Sequence, residues 1–354
     1  MVGTAASQRP GLEPYALEEN QGHSGKGPAT EMADVPDEGY PDGKLAALAV
    51  ETLEDLAARK QPFFLAVGFF KPHLPFCAPK KYWDLYDPDE FELPKHTAPT
   101  LNAPDVAYHE HRELGGYKDV PKDEKLGADQ ASHLRQGYYA CVSYADAQVG
   151  KLLDALGRFG LEENTIVVLW GDHGYSLSEA DRWCKGTNFE VDTRTPLMFR
   201  FPGMPEPGMA TEAMVEFVDL YPTIVQLAGL PAAPDLDGQS LVPILDDPRC
   251  EGRPFVLQQF ARPFKPSAPE VMGYSVRTPN HRYTRWVRWP SREVLEEEFY
   301  DYSSDRSVAR HKAFFIEREN VIDDLAYGRL REQLSALMNQ TLEARTNIEE
   351  LKQQ

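Results

Sequence analysis

Two short runs in this sequence place groups suited to an anion and a cation at the end of an apolar stretch. The first is Lys71-Pro72-His73, directly after Phe63-Phe64-Leu65-Ala66-Val67-Gly68-Phe69. The second is Gly171-Asp172-His173-Gly174, directly after Ile166-Val167-Val168-Leu169-Trp170. Asp172 offers carboxylate oxygen to a hard cation and His173 adds an imidazole nitrogen, while the flanking glycines let the backbone turn sharply around them. Each run also has an ordinary reading when taken alone. Asp followed by His at a strand end serves as a capping and hydrogen-bonding pair, Lys71 and Lys185 read as solvated cations, and His73 reads as a surface histidine. Asp146 and Asp154 read as exposed carboxylates of a helix. The Trp and Tyr residues of the C-terminal part read as core.

The elements that must position these runs follow from hydrophobic patterning. Residues 1 to about 41 read as irregular, closing in the turn-rich Pro36-Asp37-Glu38-Gly39-Tyr40-Pro41. Asp42 is placed to cap a helix running to Arg59, with Leu45, Leu48, Leu53 and Leu56 on one face. The two apolar runs have strand length and the unbroken apolarity of strands covered on both faces, as in a parallel sheet. A Pro- and charge-rich excursion from Lys71 to about Asp129 separates the first strand from a helix over Ser132 to Leu156, marked by Val142, Val149, Leu152, Leu153 and Leu156 and ended at Gly157. Leu197 to Phe201 predicts a third strand, and Asp219 caps a short helix with Pro222 in its first turn and Gly229 at its close. Beyond about Arg253, short alternating segments such as Tyr274 to Arg277 and Arg282 to Val287 precede an amphipathic helix over Val321 to Lys352, with Leu325, Leu330, Leu334, Leu337 and Leu342 on its face. Strands alternating with helices predict an α/β layered domain over 42–250, after an irregular segment 1–41, and a smaller α+β subdomain over 251–354. Ligands of open parallel sheets gather beyond the carboxyl ends of the strands, so parallel strands would bring the Lys-Pro-His and Asp-His-Gly loops to one edge.

Composition bounds the partners. The chain has 354 residues, of which 42% are hydrophobic and 26% charged, the profile of a soluble globular protein. Lys and Arg number 37 against 56 Asp and Glu, a net charge of −19, which repels nucleic acid and anionic membranes. No apolar run reaches membrane-spanning length, and Met1 to Gly43 holds no apolar core of a signal peptide. The four cysteines, Cys77, Cys141, Cys184 and Cys250, are widely spaced without a metal-knuckle pattern.

Taken together, several segments resemble the iduronate 2-sulfatase-like branch of the sulfatase family. They are Pro62 to Phe76, Gly137 to Tyr144 with Asp146 and Val149-Gly150, Asp172-His173-Gly174-Tyr175, Trp183-Cys184-Lys185 with Asn188-Phe189, and Arg194-Thr195-Pro196-Leu197. Asp219-Leu220-Tyr221-Pro222-Thr223, Asp237 to Leu241, Met272 to Thr278 and Phe299-Tyr300-Asp301 continue the resemblance in order. It implies an alkaline-phosphatase-like α/β domain, truncated at its N-terminus, that hydrolyses sulfate esters of a sulfated sugar or glycosaminoglycan-like substrate. It further implies a calcium ion and a formylglycine nucleophile, and an extracytoplasmic setting: periplasmic, secreted or lysosomal. By motif, Asp172 and His173 match metal-site residues, His73 a histidine near the sulfate, Lys185 a sulfate-binding lysine, and Tyr175 a substrate-side residue.

Three departures qualify what the resemblance implies. The Cys-x-Pro-Ser-Arg segment and the paired aspartates that the family keeps upstream of the Lys-Pro-His loop are not in residues 1–70, so an upstream segment or partner chain is expected to supply them. Cys77-Ala78-Pro79-Lys80-Lys81 has the Cys-x-Pro spacing but lacks Arg and lies in the wrong loop; Cys77 reads as incidental. Where relatives read Leu-Gly-Glu-His-Gly, this chain reads Leu177-Ser178-Glu179-Ala180-Asp181, losing a histidine and gaining an acid near an anion site. The chain alone is expected to be marginally soluble and not to turn over. The alternatives are an inactive remnant that binds metal or sulfated glycan, and a phosphodiesterase-like relative of the same superfamily.

Overall fold

The structure, a computed structural model, describes residues 3–6, 13–22, 27–91, 94–109, 113–122, 126–263, 268–311 and 314–351. The chain divides into two compact units: residues 1–95 with 111–165, and residues 96–110 with 166–354. The change of texture near residue 250 marks the start of an antiparallel sheet inside the second unit.

In the first unit, β1 (Gly3–Ala6) pairs in parallel with β3 (Phe64–Val67), and β2 (Thr30–Ala33) in parallel with β4 (Phe76–Pro79). Two strands thus lie in the segment expected to be irregular. Both are short, Gly-Thr-Ala-Ala and Thr-Glu-Met-Ala, with at most one bulky apolar residue, so hydrophobic patterning gives them no signal. Helix α1 (Pro41–Arg59) and helix α3 (Ala128–Arg158) pack together, with the short α2 (Lys80–Trp83) beside β4. The buried stripe of α1 is Ala46, Ala49, Leu53 and Leu56, whereas Leu48 is exposed. In α3 it runs through Leu134, Ala140, Cys141, Tyr144 and Ala155 to Leu156, while Val142 and Leu153 face out. Small residues on the facing stripes let the helix backbones approach, so bulk alone points to the wrong face. Helix α3 passes through Gly157 and ends one residue later. Gly160, at φ +68°, makes the turn, with Leu161 N–H donating to Leu156 O at 2.9 Å.

Strand β3 is not covered on both faces: it alternates in exposure, and Phe64 is 53% exposed. Among the described residues it pairs only with β1, and two strands cover less than a full sheet does.

In the second unit, β5 (Val167–Trp170) pairs antiparallel with β8 (Leu197–Arg200), and the two-residue strands β6 (Ser176–Leu177) and β7 (Trp183–Cys184) form a hairpin between them. The short helix α4 (Glu190–Thr193) precedes β8. Helix α5 (Leu220–Leu227) ends at Gly229, φ +64°, as its sequence predicts. Asp219 does not cap it with its side chain. Fully buried, its carboxylate accepts from Glu216 N at 3.0 Å, Gln239 N at 2.8 Å and Arg253 Nε at 3.1 Å, tying three segments together. After α6 (Val242–Asp246), strands β9 (Val256–Arg262), β10 (Val271–Arg277), β11 (His281–Arg288) and β12 (Val294–Asp301) form a meander in the order β12-β11-β10-β9. The hairpin β13 (Val308–His311) and β14 (Phe314–Glu317) follows.

Helix α7 (Gly328–Leu351) lays Leu334 and Met338 on Tyr274, Val276, Tyr283 and Phe299 of the meander. It begins later than Val321, leaves Leu325 95% exposed ahead of it, and its expected last residue, Lys352, lies outside the described residues. Trp286 and Tyr300 are fully buried with Phe189, so most of the C-terminal Trp and Tyr residues are core as expected, whereas Trp289 is 36% exposed. Among the described residues no helix is long and apolar enough to cross a membrane.

Candidate functional site

The Lys-Pro-His loop of the first unit is set by a buried aspartate. Asp42, in the first turn of α1, accepts from Phe70 N at 2.9 Å and Lys71 N at 2.8 Å, and is 3% exposed. It holds the loop after β3 instead of capping its own helix. Burial pushes its carboxyl above the usual range, partly countered by those two N–H groups and by the Lys71 charge. Lys71 is no solvated cation: only 6% exposed, its ammonium donates to the carbonyls of His73, at 3.2 Å, and Pro75. His73 is half-buried. Its ring stacks on Phe70 at 4.7 Å, Nδ1 lies 2.7 Å from Leu74 O, and Nε2 lies 3.0 Å from Glu113 Oε1.

The Asp-His-Gly loop of the second unit is set by another buried aspartate, Asp192 of α4. Its carbonyl accepts from Gly174 N at 2.8 Å. Its carboxylate takes Ser176 Oγ at 2.8 Å on one oxygen, and Thr187 N at 3.1 Å and Thr187 Oγ1 at 2.6 Å on the other. Gly174 is required here, because a Cβ would stand 2.0 Å from Val191 O. Asp172 is left with its side chain 84% exposed, 3.6 Å from His173 Nε2, while His173 Nδ1 lies 2.7 Å from Gly174 O. The β6–β7 hairpin pairs Ser176 with Cys184, so Tyr175 and Lys185 flank that pair, and the Lys185 ammonium lies 5.9 Å from the centre of the Tyr175 ring.

The hairpin tip is tightly wound. Ser178, Ala180, Asp181 and Cys184 all have positive φ, between 49° and 82°, a conformation costly for non-glycine residues and common at functional sites. Of the two acids at the tip, Glu179 turns inward, buried, and accepts from Leu177 N. Behind the hairpin Arg182 is 2% exposed and lies over the Phe189 ring at 3.8 Å. Glu190 is pushed up by burial and brought below the usual range by Arg282, at 2.8 Å, and Arg277, at 2.9 Å. Those three anchor α4, and so Asp192, to the meander.

The structure therefore brings Asp172 to His173, and Tyr175 to Lys185, within one unit; His73 belongs to the other. Asp146 and Asp154 are exposed, as expected. Cys77 is fully buried in β4 and burial lifts its thiol well above the usual value, the opposite of an activated nucleophile. The residues that sequence reasoning missed are Asp42 in its anchoring role, Asp192, Glu113, Arg182 and Glu190. Asp192 alone had a local signal, an acid just ahead of the Arg194-Thr195-Pro196 run. Among the described residues no group of three or more His, Cys, Asp or Glu gathers as a metal site. Calcium takes six to eight oxygens, so Asp172 with His173 does not by itself fit that ion.

The profile of the family described as Sulfatase matches residues 6–230. The chain belongs to the sulfatase family. A second profile, N-sulphoglucosamine sulphohydrolase, C-terminal, matches residues 179–344. Among curated proteins the chain is similar to iduronate 2-sulfatase of Mus musculus, 33% identical with 86% of this chain and 66% of the relative covered. It is also similar to iduronate 2-sulfatase of Homo sapiens, 33% identical with 75% and 59% covered, and to a sulfatase of Formosa agariphila, 33% identical with 70% and 45% covered. The chain thus spans about two thirds or less of these relatives' length. Two solved structures share its fold. A phosphonate monoester hydrolase from Silicibacter pomeroyi has TM-score 0.69 at 23% identity, over 88% of this chain and 61% of the other. A 2-O GAG sulfatase has TM-score 0.68 at 21% identity, over 88% and 65%. The sulfatase's α/β fold, with parallel and antiparallel pairs, is shared with these two structures. By family the chain is classed with the sulfuric ester hydrolases.

Proposed function

We propose that this sulfatase hydrolyses sulfate esters of a sulfated sugar, in the manner of an iduronate 2-sulfatase, with part of the reactive machinery on this chain. The observation that carries the reading is the Asp192-anchored segment. It fixes the Asp172–His173 loop and the Tyr175–Lys185 pair on one short stretch, and the 33% identity to two iduronate 2-sulfatases supports the sugar class. In this reading Lys185 meets sulfate oxygens with an ammonium seated against an aromatic face, and in the first unit His73 offers an imidazole to an anion. Asp172 and His173 supply two of the donors to a divalent cation, and Tyr175 borders the substrate. These local positive groups offset a chain of net charge −19.

A second reading is favoured by two observations. Asp172 and His173 gather no third ligand among the described residues, and Ala180-Asp181 stands where relatives keep histidine. It is a protein that binds a sulfated glycan without cleaving it. The test is to incubate the protein with calcium and either 4-nitrophenyl sulfate or a disaccharide ending in 2-O-sulfated iduronate, following released sulfate by ion chromatography and disaccharide binding by calorimetry. Sulfate release supports the hydrolase, binding without release supports the second reading, and neither binding nor release overturns both.

A further inference from the structure

Both nitrogens of the His73 imidazole face oxygen atoms of this protein, and at one of them the oxygen belongs to a side chain. Phe70 covers one ring face at 4.7 Å, and Nδ1 is spent on the carbonyl of Leu74 at 2.7 Å. The remaining nitrogen, Nε2, lies 3.0 Å from the Glu113 carboxylate. Both side chains are about one third exposed, 34% and 30%, so the contact is reachable from solvent.

The backbone that follows Glu113 is held in place. Leu114, Tyr117 and Val120 are buried immediately after it, Lys118 N donates to Gly27 O at 3.1 Å, and the Asp119 carboxylate accepts from Ala29 N at 2.7 Å. A carboxylate and a sulfate ester present the same front, negatively charged oxygens seeking a donor. Two such groups cannot share one imidazole N–H without like-charge repulsion. With the main chain anchored just after it, Glu113 can yield by rotating its side chain.

We propose that Glu113 is an internal stand-in for the substrate anion: it holds His73 Nε2 until a sulfate group displaces it, and so sets how strongly charged a ligand must be to enter. The proposal rests on the reading of His73 as a sulfate-facing residue. It makes Glu113 a specificity residue that disfavours weakly anionic or neutral sugars, which cannot compete for the imidazole.

The test is titration with inorganic sulfate at constant ionic strength, read at the His73 ring nitrogens by long-range ¹H–¹⁵N correlation. Glu113→Gln is expected to bind sulfate about tenfold more tightly than the parent, the scale of one charge-assisted hydrogen bond removed from the competition. Glu113→Asp, shorter by one methylene, is expected to gain less. His73→Asn is expected to abolish the gain in the Glu113→Gln background. Should His73→Asn weaken binding while neither Glu113 variant tightens it, the stand-in role is overturned and the reading of His73 survives. Should His73→Asn leave sulfate binding unchanged in the parent, that reading falls, and the stand-in role with it. Thermal melting identifies a misfolded variant, and Glu113→Asp, which keeps the carboxylate, then decides alone.

Discussion

The two loops that carry the candidate chemistry are built by one device and left in different states. Each follows a strand and is fixed by a buried aspartate of a helix, Asp42 for Lys71–His73 and Asp192 for Asp172–Gly174. In the first unit the loop is satisfied by its own protein: Lys71 is spent on carbonyls and His73 on Glu113. In the second the backbone is just as constrained, but the Asp172 carboxylate faces solvent. Precision of the main chain and availability of the side chain are thus separate properties. A buried acid supplies the first, and the immediate neighbours decide the second.

The comparison breaks most visibly at the anchors. Asp192→Ala removes an acceptor of three hydrogen bonds and leaves Ser176 and Thr187 donors buried, so a loss of about 3 kcal/mol is expected in urea denaturation. A loss below about 1 kcal/mol would show that the second loop is held by something else. Asp42→Ala should cost less, about 2 kcal/mol, because it frees two donors and one of them, Phe70 N–H, is only part-buried. Increased hydrogen exchange confined to residues 69–75 would mark the loosened loop.

A third variant sharpens the comparison with an acid that anchors but presents no chemistry. Asp37 is pushed up by burial, yet hydrogen bonds from Lys151, Lys81, Gln148 and Tyr82 outweigh this and bring it down to about 2. A folded value below the unfolded one stabilises the protein above pH of about 4, and that contribution is lost as pH falls toward 2. Asp37→Asn should therefore lower the melting temperature at pH 6, by an amount that shrinks steadily as pH falls from about 4 toward 2; a constant difference across that window would contradict the assignment. The smallest structural effect belongs to Lys185→Ala. Stability should change by no more than about 0.5 kcal/mol, while binding of a sulfated disaccharide, measured by calorimetry, should weaken at least about tenfold.

How much of this was legible in the sequence depended on the range of the interaction. The Asp172–His173 pair, the Gly229 helix end, the buried aromatics and the incidental Cys77 could all be read from local pattern and motif. The anchors could not. Asp42 looks like a cap because capping is a local habit, yet its partners are 28 and 29 residues away. Lys71 looks solvated because nothing nearby in sequence announces that the loop folds its carbonyls back onto the ammonium. The buried stripes of α1 and α3 were misjudged where alanine, not leucine, makes the contact. Glu113 gave no signal, since its contact with His73 spans an excursion without periodicity.

The most direct test of the account compares ester classes. The sulfatase reading predicts that the protein isolated from its source, supplied with calcium, cleaves 4-nitrophenyl sulfate in preference to phenyl 4-nitrophenyl phosphate, and that Lys185→Ala lowers kcat/KM for the sulfate by about a hundredfold. Preferential cleavage of the phosphodiester, or sulfate turnover indifferent to Lys185, would contradict it.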